Sequence, residues 1–443
     1  MFDIAVRGAQ IVTLEGVVRA DIGIVDGVFT EVGGSVGSAR QDVPADDFHV
    51  FPGLIDVHVH FNEPGRTHWE GFASGSAAFA AGGGTLYFEM PLNANPPLLT
   101  AAAFSETRAA AERSSQTDFA LWGGLTPDNL DDMEALAACG VIGFKAFMSS
   151  SGTPDFRRAD DFTLFEGMRH AAQLRLPIAV HAESEALTQG LAARFRAAGA
   201  GGATDYLSSR PIVAELEAIG KALLFAEETG ADLHIVHVSS ARGVQLVREA
   251  AARGVRATCE TCPHYLYFNE DDLLHEGAAL KCAPPLRSES ERRALLAMLG
   301  DLDLIASDHS PAPPDLKTSP DFFEVWGGIS GVQATLGVLL ALGIPLQRIA
   351  ALTAMQPASR FAVTTKGRLE PGYDADFTLV DLAGETTLDA ETLLTRHRDG
   401  AYLNRTLPGR VRATYLRGEP IFENGAVVGE PRGRLVLPER TLV

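Results

Sequence analysis

Cysteine is scarce, with only Cys139, Cys259, Cys262 and Cys282 in 443 residues. Four thiols cannot hold a chain of this length as a disulfide scaffold, and such usage fits a reducing compartment. Long apolar runs are missing as well. None reaches the ~18–20 residues that a membrane helix requires. The opening MFDIAVRGAQIV alternates like a strand and is unlike a signal peptide. The expected location is the cytoplasm, away from membranes. Positive charge is the third deficit. Lys and Arg total 37 against 57 Asp and Glu, a formal net charge of -20. Such a surface repels nucleic-acid phosphates and anionic membranes, so neither is an expected partner. Against these absences stand 46% hydrophobic and 21% charged residues, an ordinary balance for a globular enzyme.

Cys259 and Cys262 form a CxxC within TCETCPHY. A zinc ribbon needs a second such pair, and a redox pair needs a helix N-terminus. The expectation is two small buried residues at a strand end.

Both ends of the chain read as short strands with turns. Asp26-Gly27 marks one hairpin and Asn424-Gly425 another, with a strand at 374–382, since Asp-Gly and Asn-Gly favour tight two-residue turns. Residues 1–50 plus 361–443 are therefore expected to join as one small β-sandwich domain. Between 51 and 360, strand-like segments begin near 54, 85, 119, 141, 177, 233, 255 and 302. Helical stretches such as 211–230 and 241–254 lie between most of them. That alternation predicts a (β/α)8 barrel of the TIM type. An open doubly wound sheet is disfavoured because no GxGxxG follows the first strand; the glycines at 82–84 lack that spacing.

The run FPGLIDVHVH ends in His58 and His60. Residues i and i+2 of a strand share a face, and neutral imidazole suits divalent metal ions. Other polar residues fall at later strand ends: Lys145 in GFKAF, His181 in AVHAE, His237 in IVHVSS and Asp308 in IASDHS. Barrel enzymes place their reactive groups at that rim. His234, three residues before His237, is expected on the opposite side of its strand, against helices. His264 and His309 could support the site, whereas His170, His275 and His397 fall in helical or loop contexts. Lys145 is costly in an apolar strand unless paired or neutralised. One resolution is carboxylation by CO2, which gives an anion able to bridge two metal ions. Four His, that anion and Asp308 would suit ions ~3.5–4 Å apart, with Asp308 also a general base.

PGLIDVHVHFNEPG (52–65), GFKAF (143–147), HAE (181–183), HVSS (237–240), CPHYL (262–266), KCAPPLR (281–287), SDHSP (307–311) and KGRLEPGYDADF (366–377) together resemble the amidohydrolase superfamily. The similarity is greatest to its cyclic amidohydrolases: hydantoinases, dihydroorotases and allantoinases. The resemblance implies a dinuclear metal-dependent hydrolase, commonly zinc, with Co2+, Mn2+ or Fe2+ as alternatives. Its ligand positions match His58, His60, carboxylated Lys145, His181, His237 and Asp308. It also implies a homotetramer. A complete ligand set argues against a non-catalytic scaffold on the same fold.

Departures choose among the branches. Dihydroorotases carry an Arg where this chain has Asn62, and loss of a carboxylate clamp disfavours an acidic ring. Hydantoinases carry a Tyr where this chain has Ser150. EPGRTHWEG (63–71), MPLNANPP (90–97) and WGGISG (326–331) resemble the allantoinase branch. That resemblance implies opening of a neutral cyclic ureide, allantoin, to allantoate. Asn93, the Cys282 backbone and Ser310 are the expected substrate contacts, while Arg66 and Trp69 could simply order the first loop.

Overall fold

A computed structural model describes residues 1–439; the last four residues expected in the β domain lie outside the described residues. Eight short parallel strands form the centre of the molecule. They are Leu54–Val59, Gly84–Glu89, Asp118–Leu121 continued by Gly123–Gly124, Phe144–Phe147, Pro177–His181, Asp232–Ile235, Ala257–Thr261 and Leu304–Ile305. Each pairs in parallel with its sequence neighbour. The first and last strands meet through His60 N–H donating to the His309 carbonyl at 2.8 Å. The Asp56 carboxylate adds to this seam, accepting from Ser307 N at 3.1 Å. The sheet therefore closes into the expected TIM-type barrel, accompanied by a β-sandwich domain.

Inside the barrel, Ile55, Val57, Leu86, Phe88, Ala120, Trp122, Ile142, Ala179, Val236 and Leu304 form one apolar cluster. Trp122 keeps its polar handle satisfied, donating Nε1–H to the Val57 carbonyl at 3.0 Å. The floor is closed by the helix Gln356–Arg360 and by Phe361, whose ring lies 5.3 Å from those of Phe88 and Trp122. Around the outside, the longer helices bury one stripe against the barrel. In Ile212–Thr229 the buried residues include Ala214, Ala218, Ile219, Ala222 and Ala226, spaced for one helical face. Ser240 caps Ala241–Ala252 by accepting from Gly243 N at 3.2 Å.

The chain ends build a nine-stranded sheet around a separate core containing Ile22, Phe29, Phe377 and Tyr415. The two ends join where Phe377–Leu388 runs antiparallel to His49–Pro52. The hairpin at Asp26-Gly27 links Val17–Val25 to Val28–Val32, and the one at Asn424-Gly425 links Glu419–Glu423 to Ala426–Val427. Phe361 and Val363 join the barrel interior, and the tail returns with Leu435 bridging Phe119.

Between barrel and β domain lies a buried ionic cluster. Lys366 Nζ contacts Asp118 at 2.7 Å, Asp374 at 2.9 Å and Asp376 at 2.6 Å. Burial alone would lower the lysine pKa, but these carboxylates hold it above its ordinary value. Removing one member of a buried ionic cluster strands the remaining charges, at a cost of about 3–5 kcal/mol. Lys366→Met should therefore lower unfolding free energy by about 3 kcal/mol in denaturant titration. A change below about 0.5 kcal/mol, the scale of an exposed pair, would show the cluster to be dispensable.

Candidate active site

The open rim of the barrel collects the residues singled out from sequence. His58 Nε2 and His60 Nε2 lie 3.2 and 3.4 Å from Asp308 Oδ1. One donor atom from each of these three residues falls within 4.8 Å of the others. On the adjoining strands, His181 Nδ1 and His237 Nε2 approach to 3.0 Å. Lys145 is fully buried, and its Nζ has no hydrogen-bond partner. The Phe147 ring centroid lies 4.7 Å from that nitrogen.

This donor set fits divalent cations. Burial, then the Lys145 charge, pushes His58 well below its ordinary pKa, and burial does the same to His237. His60 and His181 are also lowered, chiefly by burial. All four imidazoles are therefore neutral at pH 7, the form that ligates metal. Burial also brings Lys145 down to about 8, so a minor fraction of its population carries a free amine lone pair at pH 7. An orphaned buried amine beside converging imidazoles is the feature that a bridging anion on Lys145 would explain.

Carboxylates behind the imidazoles fix their orientation. Glu260 Oε1 accepts from His58 Nδ1 at 2.6 Å, leaving Nε2 directed at Asp308. Glu183 Oε2 accepts from His181 Nε2 at 2.9 Å and is paired with Arg210, leaving Nδ1 directed at His237. Burial would raise Glu183, but Arg210 and His181 bring it to about 2. Glu260 is pushed up to about 8 by burial, and cations at the neighbouring positions would favour its ionised form. Such carboxylate–imidazole pairs orient metal ligands generally. The sequence reading missed Glu260, and saw Glu183 only as part of HAE. The signal available was an acid at an inward strand position, in TCETC and HAE.

His234 corrects an expectation. It points into the barrel, with Nε2 3.0 Å from Glu260 Oε2 and its ring 5.5 Å from Phe361. Strict alternation fails because the strand ends at Ile235 and His237 turns to φ +40°. His309 instead faces outward: its Nδ1 accepts Gly331 N–H at 3.1 Å and its ring packs on Phe61. His264 is buried beside Tyr265. Cys259 and Cys262 are buried free thiols.

Of the expected substrate contacts, Asn93 is buried against His60, its amide nitrogen 3.4 Å from Nδ1. A ligating Nε2 requires Nδ1–H to find an acceptor, and the unpartnered Asn93 Oδ1 would supply one if the amide turns over so that its oxygen replaces its nitrogen beside Nδ1. The Cys282 carbonyl already accepts the Tyr206 hydroxyl at 2.8 Å. Ser310 is tied by its N–H to the Ile329 carbonyl at 3.0 Å. Asn62 is buried, with Nδ2 3.4 Å from the Pro311 carbonyl and Oδ1 unpartnered. Arg66 orders the first loop, donating to the Asn93 carbonyl at 3.0 Å and pairing with Asp155 at 2.9 Å. Trp69 meets Trp326 edge to face at 4.7 Å. The Ser310–Gly331 segment is pinned by Lys281, which donates to the Phe322 and Val325 carbonyls, and by Lys317, which donates to Gly328. Asn93→Ala should thus weaken metal retention by about tenfold, measured by competition with a chelator. A raised KM with unchanged metal affinity would assign Asn93 to substrate instead.

Residues 49–421 match the model of the amidohydrolase family. The chain is 53% identical to an allantoinase of Deinococcus radiodurans, over 98% of this chain and 99% of that protein. It is 46% identical to an allantoinase of Bacillus velezensis, over 96% and 95%. Among solved structures, an L-hydantoinase (dihydropyrimidinase) from Arthrobacter aurescens superposes with a TM-score of 0.95. That match has 32% identity and covers 99% of this chain and all of that one.

Proposed function

The chain belongs to the amidohydrolase family, and on that premise we propose that it hydrolyses the ring amide of allantoin to give allantoate. The observation that carries the reaction class is the convergence of His58, His60 and Asp308 beside the His181–His237 pair and the orphaned Lys145 amine. The choice of ring rests on full-length identity to proteins called allantoinase and on Asn62, which supplies an amide where a carboxylate clamp would be cationic.

His58 and His60 would hold one ion, His181 and His237 a second, with carboxylated Lys145 between them and Asp308 on the first. When bound, two divalent ions, zinc foremost, polarise the scissile carbonyl and lower the pKa of a water molecule. Asp308 is the only one of the six whose side chain is appreciably open to the rim, 13% exposed. It takes a proton from the attacking water and returns it to the departing ring nitrogen. The water oxygen ends in the new carboxylate, the ring C–N bond breaks, and the nitrogen leaves as part of a neutral ureido group. Glu260 and Glu183 keep the imidazoles turned toward the centre. Of the expected substrate contacts, the Cys282 backbone and Ser310 keep that role, Asn93 is assigned to His60, and the assembly is taken as a homotetramer in the cytoplasm.

The purified protein should hold close to two ions per chain and turn over allantoin in preference to hydantoin, dihydrouracil and dihydroorotate. Less than one ion, with no ring opening after reconstitution, would sink the metal-hydrolase reading. A large preference for dihydrouracil would move the protein to the dihydropyrimidinase branch, which the Arthrobacter neighbour represents.

Carboxylation consumes the neutral amine, whose fraction grows as pH rises toward the Lys145 pKa of about 8. Reactivation of metal-free enzyme by metal at a constant concentration of dissolved CO2 should therefore quicken from pH 6 to pH 8 and level off above. A rate that falls across that window would contradict the modification. Lys145→Ala should lose dinuclear binding and regain activity with added short-chain acids; absence of any rescue would remove Lys145 from the bridging role.

A further inference from the structure

A chain of hydrogen bonds runs from the closed end of the barrel up to the rim. Arg360, on the floor helix, is anchored by Asp232 at 2.8 Å. Its Nε–H donates to Thr258 Oγ1 at 2.6 Å. Thr258 Oγ1 lies 2.8 Å from His234 Nδ1. His234 Nε2 lies 3.0 Å from Glu260 Oε2, and Glu260 Oε1 lies 2.6 Å from His58 Nδ1. Every member from His234 to His58 is buried.

The direction of these bonds is not free. Guanidinium has donors only, so Thr258 Oγ1 accepts from Arg360 and has one hydrogen left to give. The other acceptor in reach, the Leu233 carbonyl, is farther, at 3.4 Å, and already receives Arg360 Nη2 at 3.3 Å. The hydroxyl hydrogen therefore goes to His234 Nδ1. Burial, reinforced by Arg360, takes His234 down to about 3, so the ring is neutral and carries its single hydrogen on Nε2. That hydrogen points at Glu260, which leaves the carboxylate to accept the His58 Nδ1–H on its other oxygen. His58 Nε2 is then a lone pair facing Asp308. Glu260 also accepts the backbone N–H of His237 at 3.3 Å, touching the second histidine pair as well.

We infer that Arg360, Thr258, His234 and Glu260 act as a one-way hydrogen-bond chain that fixes the tautomer of His58 and so presets its Nε2 for a metal ion. They are positioning residues, remote from the substrate. The inference rests on the metal-dependent reading above. Its economy is that an arginine at the barrel floor, three side chains removed, specifies which nitrogen of a rim histidine is free.

Thr258→Val keeps the shape and removes the hydroxyl, while Thr258→Ser keeps the hydroxyl. Zinc retention is read as the release rate to a chelator, and the His58 tautomer as the ring 15N shifts of metal-free protein labelled at histidine, recorded at alkaline pH so that Glu260 is a carboxylate. Thr258→Val should release zinc about 10- to 100-fold faster and show mixed His58 tautomers, and Thr258→Ser should restore both. Glu260→Gln cannot accept from both imidazoles at once and should lose at least as much. The double variant Thr258→Val/Glu260→Gln should lose no more than Glu260→Gln alone, since one chain is broken only once. Unchanged tautomer and release rate in Thr258→Val would overturn the inference while leaving the metal site standing. If Thr258→Val does not fold, an unchanged Nδ1–H tautomer of His58 in Glu260→Gln does the same. Wild-type protein that binds no zinc would fail the underlying reading instead.

Discussion

Desolvation of ionisable groups at the barrel rim is the constraint on which the rest of the structure depends. His58, His60, Lys145, His181, His237 and Glu260 are all buried, where a charge without a partner costs several kcal/mol. The imidazoles answer by staying neutral, the amine by a lowered pKa, and the acids by accepting several donors each. Those same answers make the group a receptor for cations. Neutral imidazoles offer lone pairs, carboxylates behind them hold the other ring nitrogen, and a free amine is the form that reacts with CO2.

Backbone geometry meets the same demand. Asn62, Asn93, His237 and Asp308 all adopt positive φ, at 64°, 71°, 40° and 47°. Such conformations cost non-glycine residues about 1–3 kcal/mol and cluster where surroundings over-determine them. Here they break the two-residue alternation at strand ends, so that consecutive side chains can turn inward. Glu89 supports one such turn, accepting from Phe61 N at 2.8 Å and Asn62 N at 3.1 Å. Asp56 supports another, joining His58 N to Ser307 N across the barrel seam.

Much of the fold was legible because the barrel strands are short, apolar and separated by helices of ordinary period. The hairpins at Asp26-Gly27 and Asn424-Gly425 were legible from turn chemistry alone. Histidines near strand ends were legible as a set, since a barrel delivers those ends to one rim. His234 was not. Its side follows from where the strand stops and from φ at His237, and neither is a local property of LHIVHV. Glu260 was overlooked for a related reason: flanked by two cysteines, it drew attention to the thiols, and its partners lie 26 and 202 residues away.

By itself the sequence determined element type, order and the identity of the polar residues, because hydrophobic period, turn residues and strand ends are written locally. Only the tertiary structure decided which nitrogen of each histidine is free, which acids hold the others, and that Asn93 lies against His60. Those outcomes are set by contacts between strands distant in sequence, and a hydrogen bond is directional. His58 and His60 share a strand face in any reading of DVHVH. That His58 presents Nε2 toward Asp308 depends on Glu260 from the seventh strand, and through it on Thr258 and Arg360.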